Sequence, residues 1–141
     1  MTYFCPVCWA EMAAEQMICG RCRADLRAWE GKGYVEKLIA ALRHPEPTTP
    51  LRAAWLLGRL RARDAVLPLM ELARSSPDLF LREAAVEALG RIGDPRSLEL
   101  LRALARSDSV LVRRAARRAL AMIEGPEPGA DPARNEDSRR G

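Results

Sequence analysis

Cys5-Pro-Val-Cys8 and Cys19-Gly-Arg-Cys22 hold all four cysteines of the 141-residue chain, ten residues apart. Each Cys-x2-Cys turn aims two sulfurs and several backbone N–H groups at one point, and two such turns complete the tetrahedron that Zn²⁺ prefers. Cys5, Cys8, Cys19 and Cys22 are therefore the candidate ligands of one structural zinc ion. Pro6 and Gly20 suit the turns. Disulfides in a secreted mini-domain would call for an export signal, and Met1 to Cys5 offers neither a basic start nor an apolar run. A redox Cys-x-x-Cys would sit in a βαβ pattern, which neither pair has.

About thirty residues cannot bury enough apolar surface to offset chain entropy alone, and structural zinc contributes about 10–16 kcal/mol in small zinc peptides. Residues 1–30 should thus fold around the metal. The rest of the chain, 48% apolar and 30% charged overall with 5% aromatics, reads as helical. A shift of 32 residues lays Ala53, Leu57, Gly58, Arg59 and Leu60 on Ala85, Leu89, Gly90, Arg91 and Ile92. A further shift of 31 lays Leu81, Arg82, Ala84, Ala85 and Leu89 on Val112, Arg113, Ala115, Ala116 and Leu120. Apolar stripes at i, i+3, i+4 and i+7 predict helices near 33–43, 51–62, 64–74, 79–92, 95–106 and 109–123. In Gly93-Asp94-Pro95 the glycine accepts a left-handed cap, the aspartate can cap the next helix and the proline suits its first turn.

Tyr3-Phe4-Cys5-Pro6-Val7-Cys8 through Met17-Ile18-Cys19-Gly20-Arg21-Cys22 resembles the short zinc ribbons found at the termini of many bacterial and archaeal proteins. That resemblance implies a closed structural site. The family commonly has Gly directly after each knuckle, where this chain has Trp9 and Arg23. Residues from about 50 to 124 resemble the short HEAT-like repeats of the bilin-lyase type, most clearly in Leu81-Arg82-Glu83-Ala84-Ala85-Val86-Glu87-Ala88-Leu89-Gly90-Arg91-Ile92-Gly93-Asp94-Pro95. In the first unit Arg61-Ala62-Arg63-Asp64 replaces the Gly-Asp-Pro turn. The expected architecture is a mainly α, short HEAT-like solenoid (31–124) with a zinc ribbon (1–30) and a disordered tail (125–141).

Solenoid units bury their faces only against neighbours, so terminal units require caps, and the ribbon is placed to be one. Trp55 falls where Glu87 falls in the next unit, away from the apolar stripe. It is expected to pack on residues 1–34, on Trp9, Trp29 or Tyr34, with a protein partner as the functional alternative. Arg113, Arg114, Arg117 and Arg118 form two i, i+4 pairs opposite the stripe of the last helix, a candidate face for phosphates or acidic side chains.

The net charge of +4 sits in residues 31–124 and is too small for an obligate nucleic-acid binder. The patch lacks interleaved aromatics for base stacking. No phosphate loop and no Ser, His and acid set is visible, and the single histidine, His44, reads as the favourable end of a helix. Iron-binding helical-repeat hydroxylases need several His and Glu ligands, so that relative is not expected. These signals favour a cytoplasmic protein-interaction or adaptor module without turnover and without a small-molecule substrate. Nucleic-acid binding through the Arg face is the alternative, and bilin-lyase-like tetrapyrrole binding a remoter one. The apolar runs fall far short of a membrane span.

Overall fold

The computed structural model describes residues 3–13, 15–30, 32–107 and 109–125, and the tail expected to be disordered lies outside them from residue 126 onward. The fold is a mainly α, HEAT-like solenoid with a small cysteine-bearing module at its start. Strands β1 (Tyr3–Phe4) and β2 (Glu11–Met12) pair antiparallel with Tyr3 opposite Met12. Helices α1 (Leu26–Glu30), α2 (Tyr34–Ala41), α3 (Thr48–Arg59), α4 (Val66–Ser75), α5 (Leu79–Ile92), α6 (Leu98–Leu104) and α7 (Val110–Glu124) follow. The short α1 was not expected from the sequence.

The turns explain where the helices begin. Asp78 accepts the N–H groups of Phe80 and Leu81 to cap α5, and Ser109 accepts that of Val112 to cap α7. The Glu46 carboxylate accepts the N–H groups of Thr48 and Thr49, so α3 starts three residues before its expected position. Pro50 is then tolerated in the first turn, where its missing N–H is no loss. Gly93 is left-handed at φ 71°, Asp94 accepts the Arg96 N–H, and Pro95–Ser97 form one turn of 3-10 helix before α6. The first unit reaches the same backbone without the same residues. Arg61, the counterpart of Gly93, is left-handed at φ 50°, and Arg63–Ala65 repeat the 3-10 turn.

Helices α3, α5 and α7 stack side by side, α4 and α6 back them, and α2 packs on α3. Leu57, Leu69, Leu89, Leu101, Val66, Val86 and Val112 are fully buried between the layers. A Cβ on Gly58 would lie 2.9 Å from the Ala88 Cα, and one on Gly90 would lie 2.8 Å from the Ala119 Cα. Backbone contact this close makes α3, α5 and α7 the tight inner layer, while α4 and α6 scarcely touch one another. Two arginines tie the layers together at equivalent positions. Arg82 Nε donates to the Ala73 carbonyl at 3.0 Å and Arg113 Nη1 to the Ser107 carbonyl at 3.0 Å, each satisfying a carbonyl near the C-terminal end of the preceding outer helix.

Among the described residues α7 is the last helix of the stack, and its outward register differs from that of α3 and α5. Buried Ala54 and Val86 face the next unit, but their counterpart is exposed Arg117; Gly58 and Gly90 correspond to exposed Ala121. A polar outer face on the last unit keeps an array from growing or aggregating.

Candidate metal centre and the faces of the array

The two cysteine turns are built alike. Cys5 N donates to Ala10 O at 2.9 Å and Trp9 N to Cys5 O at 2.8 Å; Cys19 N donates to Ala24 O at 3.0 Å and Arg23 N to Cys19 O at 2.9 Å. Trp9 and Arg23 close these turns with φ of 59° and 64°. The left-handed geometry that glycine commonly supplies in ribbons is thus kept by side chains that strain to adopt it.

The turns bring the four sulfurs within 4.8 Å of one another. Cys5 Sγ lies 3.6 Å from Cys22 Sγ, and Cys8 Sγ lies 3.6 Å from Cys19 Sγ. A disulfide is about 2.05 Å long, whereas sulfurs 2.3 Å from a central tetrahedral ion stand roughly 3.8 Å apart. The spacing fits a metal and not two bridges. Val7 N and Cys22 N point at the sulfurs of Cys5 and Cys19, as donors that stabilise thiolates do. The Cys22 N–H, with that of Arg21, holds the Cys19 thiol down to about 6 against its burial. At Cys22 the Ala24 N–H lowers the pKa, but burial and the crowded sulfurs of Cys8, Cys5 and Cys19 outweigh it and push the thiol up to about 12. The Cys19 thiolate is favoured and that of Cys22 is disfavoured beside the other sulfurs, a cost that a bound divalent cation would relieve. Among the described residues this is the cluster of His, Cys, Asp and Glu side chains able to hold an ion.

The module docks through His44. The ring stands edge-on to Phe4 at 5.3 Å and to Trp9 at 4.7 Å, and its Nδ1 accepts the Glu46 N–H at 3.0 Å. The histidine therefore joins the module to the array in addition to following α2. Beside this seam a cleft of about 450 Å³ runs between Val7 and Trp9 on one side and Ile39, Pro68 and Leu72 on the other, with Arg43, Glu36 and Glu71 in its lining.

Among the described residues Trp55 makes no ring contact with the module. It is 49% exposed on α3, with the Arg59 guanidinium 4.9 Å from its ring centre and Leu51 and Arg91 beside it. The Trp29 side chain is outside the described residues. Among the described residues the expected packing of Trp55 on Trp9 or Tyr34 is not found: Trp9 and Phe4 dock on His44 instead, and the expected contact with the Trp29 side chain lies outside those residues. The four arginines of α7 also separate. Arg113 is held by the Ser107 carbonyl, and Arg118 lies 3.3 Å from Glu87 and 3.7 Å from Glu83. Arg114 and Arg117 are exposed with no partner among the described residues.

The family model for HEAT repeats matches residues 35–121. The chain belongs to the HEAT-repeat family. This HEAT-repeat protein is 30% identical over 132 residues to a deoxyhypusine hydroxylase of Gallus gallus, covering 88% of this chain and 44% of the relative. It is 42% identical over 89 residues to phycocyanobilin lyase subunit alpha of Picosynechococcus sp., covering 54% of this chain and 33% of the relative. It is 36% identical over 107 residues to the bilin biosynthesis protein PecE of Mastigocladus laminosus, covering 68% and 40%. The HEAT-repeat chain thus spans less than half the length of these relatives. Two of them bear the names of enzymes, a hydroxylase and a lyase, which overturns the expectation of a module without enzymatic turnover and without a hydroxylase relative. The lyase and biosynthesis names also conflict with the expected absence of any small-molecule substrate. No helix among the described residues is long and apolar enough to cross a membrane.

Proposed function

We propose that the chain is a protein-binding HEAT-repeat scaffold, in which a zinc-bound N-terminal ribbon closes the open start of the stack and the inner helical layer receives the partner. The observation that carries this reading is Trp55, half exposed on that layer and braced by Arg59 where intramolecular packing was expected. Aromatic and arginine side chains dominate the energy of protein interfaces, and an exposed tryptophan otherwise costs solvation. Zinc is the ion suited to four thiolates in a closed tetrahedron. Affinity capture from the native cell, run in parallel with wild type and Trp55→Ala, tests the scaffold. Partners recovered by wild type and lost by the variant support it; the same set with both proteins refutes it. Metal analysis of protein purified without added metal should find about one zinc per chain, and full zinc in Cys19→Ser would remove the ribbon assignment.

A second reading, binding of a bilin-type ligand, is favoured by the names of the relatives and by the cleft at the module seam. Its size falls within the range of small-molecule sites, about 300–1,000 Å³, and Arg43 in its lining suits a carboxylate placed away from Glu36 and Glu71. Titrating phycocyanobilin should shift its visible absorbance with the wild type and not with Val7→Glu if the cleft is that site.

A further inference from the structure

The inner layer repeats one register three times. Trp55, Glu87 and Arg118 occupy equivalent positions on α3, α5 and α7, and one turn later so do Arg59, Arg91 and Met122. Both rows face solvent: Trp55 is 49% and Met122 58% exposed, and all four charged side chains are exposed. Shallow pockets lie in both gaps of the layer, one beside Trp55 and the other beside Met122, and Glu87 and Arg91 line both.

The charges on this face do not cancel. Glu83 and Glu87 are engaged by Arg118. Arg91 has no partner among the described residues, and neither does Arg52 on α3 or Arg114 on α7, while Arg59 lies over an uncharged ring. After internal pairing the excess is positive, at the centre of the face as well as on both sides. Phosphates of a nucleic acid would meet Glu87 in the middle of the path, whereas a polypeptide can place carboxylates beside Arg91 and apolar groups elsewhere.

Resting on the scaffold reading, we propose that the inner face of α3, α5 and α7 binds an extended acidic segment of a partner protein, whose carboxylates meet Arg91 and whose flanking apolar side chains seat against Trp55 and Met122. Packed helices are about 8–10 Å apart, so the two anchors stand roughly 16–20 Å apart across the layer. An extended chain rises about 3.3 Å per residue, which sets the apolar residues about five or six positions apart with the glutamates or aspartates between them. Main-chain direction is left free, because helices offer the segment no strand edge to pair with.

The probe is a fluorescein-labelled peptide with two leucines about six positions apart and glutamates between them, followed by anisotropy at low and physiological salt. Controls are the same peptide with lysine for glutamate and a single-stranded DNA of similar length. Arg91→Gln keeps the Cβ and Cγ of the stem, puts a neutral amide where the Arg91 Cδ lies beside Gly58, and removes the charge; circular dichroism verifies its fold. We expect saturable binding of the glutamate peptide that weakens with salt, falls about tenfold in Arg91→Gln and more in Trp55→Ala, and is absent for the lysine peptide. No saturable binding, equal binding by Arg91→Gln, or binding of the DNA alone overturns the assignment. Cellular capture separates the two readings. Partners lost by Trp55→Ala but retained by Arg91→Gln leave the scaffold standing and remove the acidic segment; partners retained by both remove the scaffold.

Discussion

Ala119 on α7 lies against Gly90 on α5 so closely that a Cβ added to the glycine would stand 2.8 Å from both the Cα and the Cβ of the alanine. Gly58 and Ala88 repeat the contact one unit earlier. In an exposed helix Gly→Ala stabilises by about 1 kcal/mol. Here overpacking outweighs that gain, and Gly90→Ala should lose about 1–3 kcal/mol in urea unfolding. The reverse change at the uncovered counterpart, Ala121→Gly, should cost only the helix-propensity difference of about 1 kcal/mol. A stabilised Gly90→Ala would show that the inner layer is looser than this contact requires.

Arg23 and Arg61 hold left-handed backbone at φ of 64° and 50°. Relief of Cβ strain, about 1–2 kcal/mol, exceeds the entropy that glycine returns to the unfolded chain, about 0.4–1 kcal/mol. Arg23→Gly and Arg61→Gly should each stabilise by about 0.5–1 kcal/mol. Thermal melts of the zinc-loaded protein check this, and a lower melting temperature in both variants contradicts it.

Asp94 is buried at the turn between α5 and α6, where the Arg96 side chain and then its N–H hold the carboxyl down to about 2, with Arg63 adding to the effect. A depressed folded pKa means that the ionised form stabilises the fold. That contribution is complete above the unfolded value of about 3.9 and is lost as pH falls toward about 2. Between these limits wild type should lose stability more steeply than Asp94→Asn, read by chemical unfolding at several pH values. Parallel slopes would exclude Asp94 as the source.

Metal removal should act on the module and spare the array. The buried apolar core runs from Leu38 to Ala119 and belongs to the helices, while the module meets His44 through Phe4 and Trp9. In a variant with Trp29 and Trp55 changed to Phe, a chelator should shift Trp9 emission toward that of exposed indole and leave the helical circular dichroism nearly unchanged. Loss of helix on chelation would show that the array depends on the module to fold.

Arg113 and Arg114 are neighbours on α7 with opposite roles. Arg113 donates to the Ser107 carbonyl, and its truncation to Ala should cost about 0.5–1.5 kcal/mol. Arg114→Ala should change stability by less than about 0.5 kcal/mol. Equal effects in denaturant would dissolve the distinction.

The repeat register, the helices of the array and the cysteine pairs were legible in the residues themselves, because each is a local matter of period, capping and spacing. Gly93-Asp94-Pro95 names its own turn, and two Cys-x2-Cys pairs name their own geometry. Arg61 was not legible in this way: its side chain argues against a left-handed turn, and only the packing of α3 and α4 on their neighbours forces it. The same holds for Trp9 and Arg23, where closing the two cysteine turns overrides backbone preference. Sequence placed Trp55 outside the apolar stripe but could not say what lies opposite, since the angle at which the N-terminal module meets the array depends on Phe4, Trp9 and His44, residues some forty positions apart. Likewise the spacing of four arginines gave one face, and the tertiary structure divided it, because a helix period fixes where a side chain points and only the neighbouring helix decides whether a carboxylate or a carbonyl is waiting there.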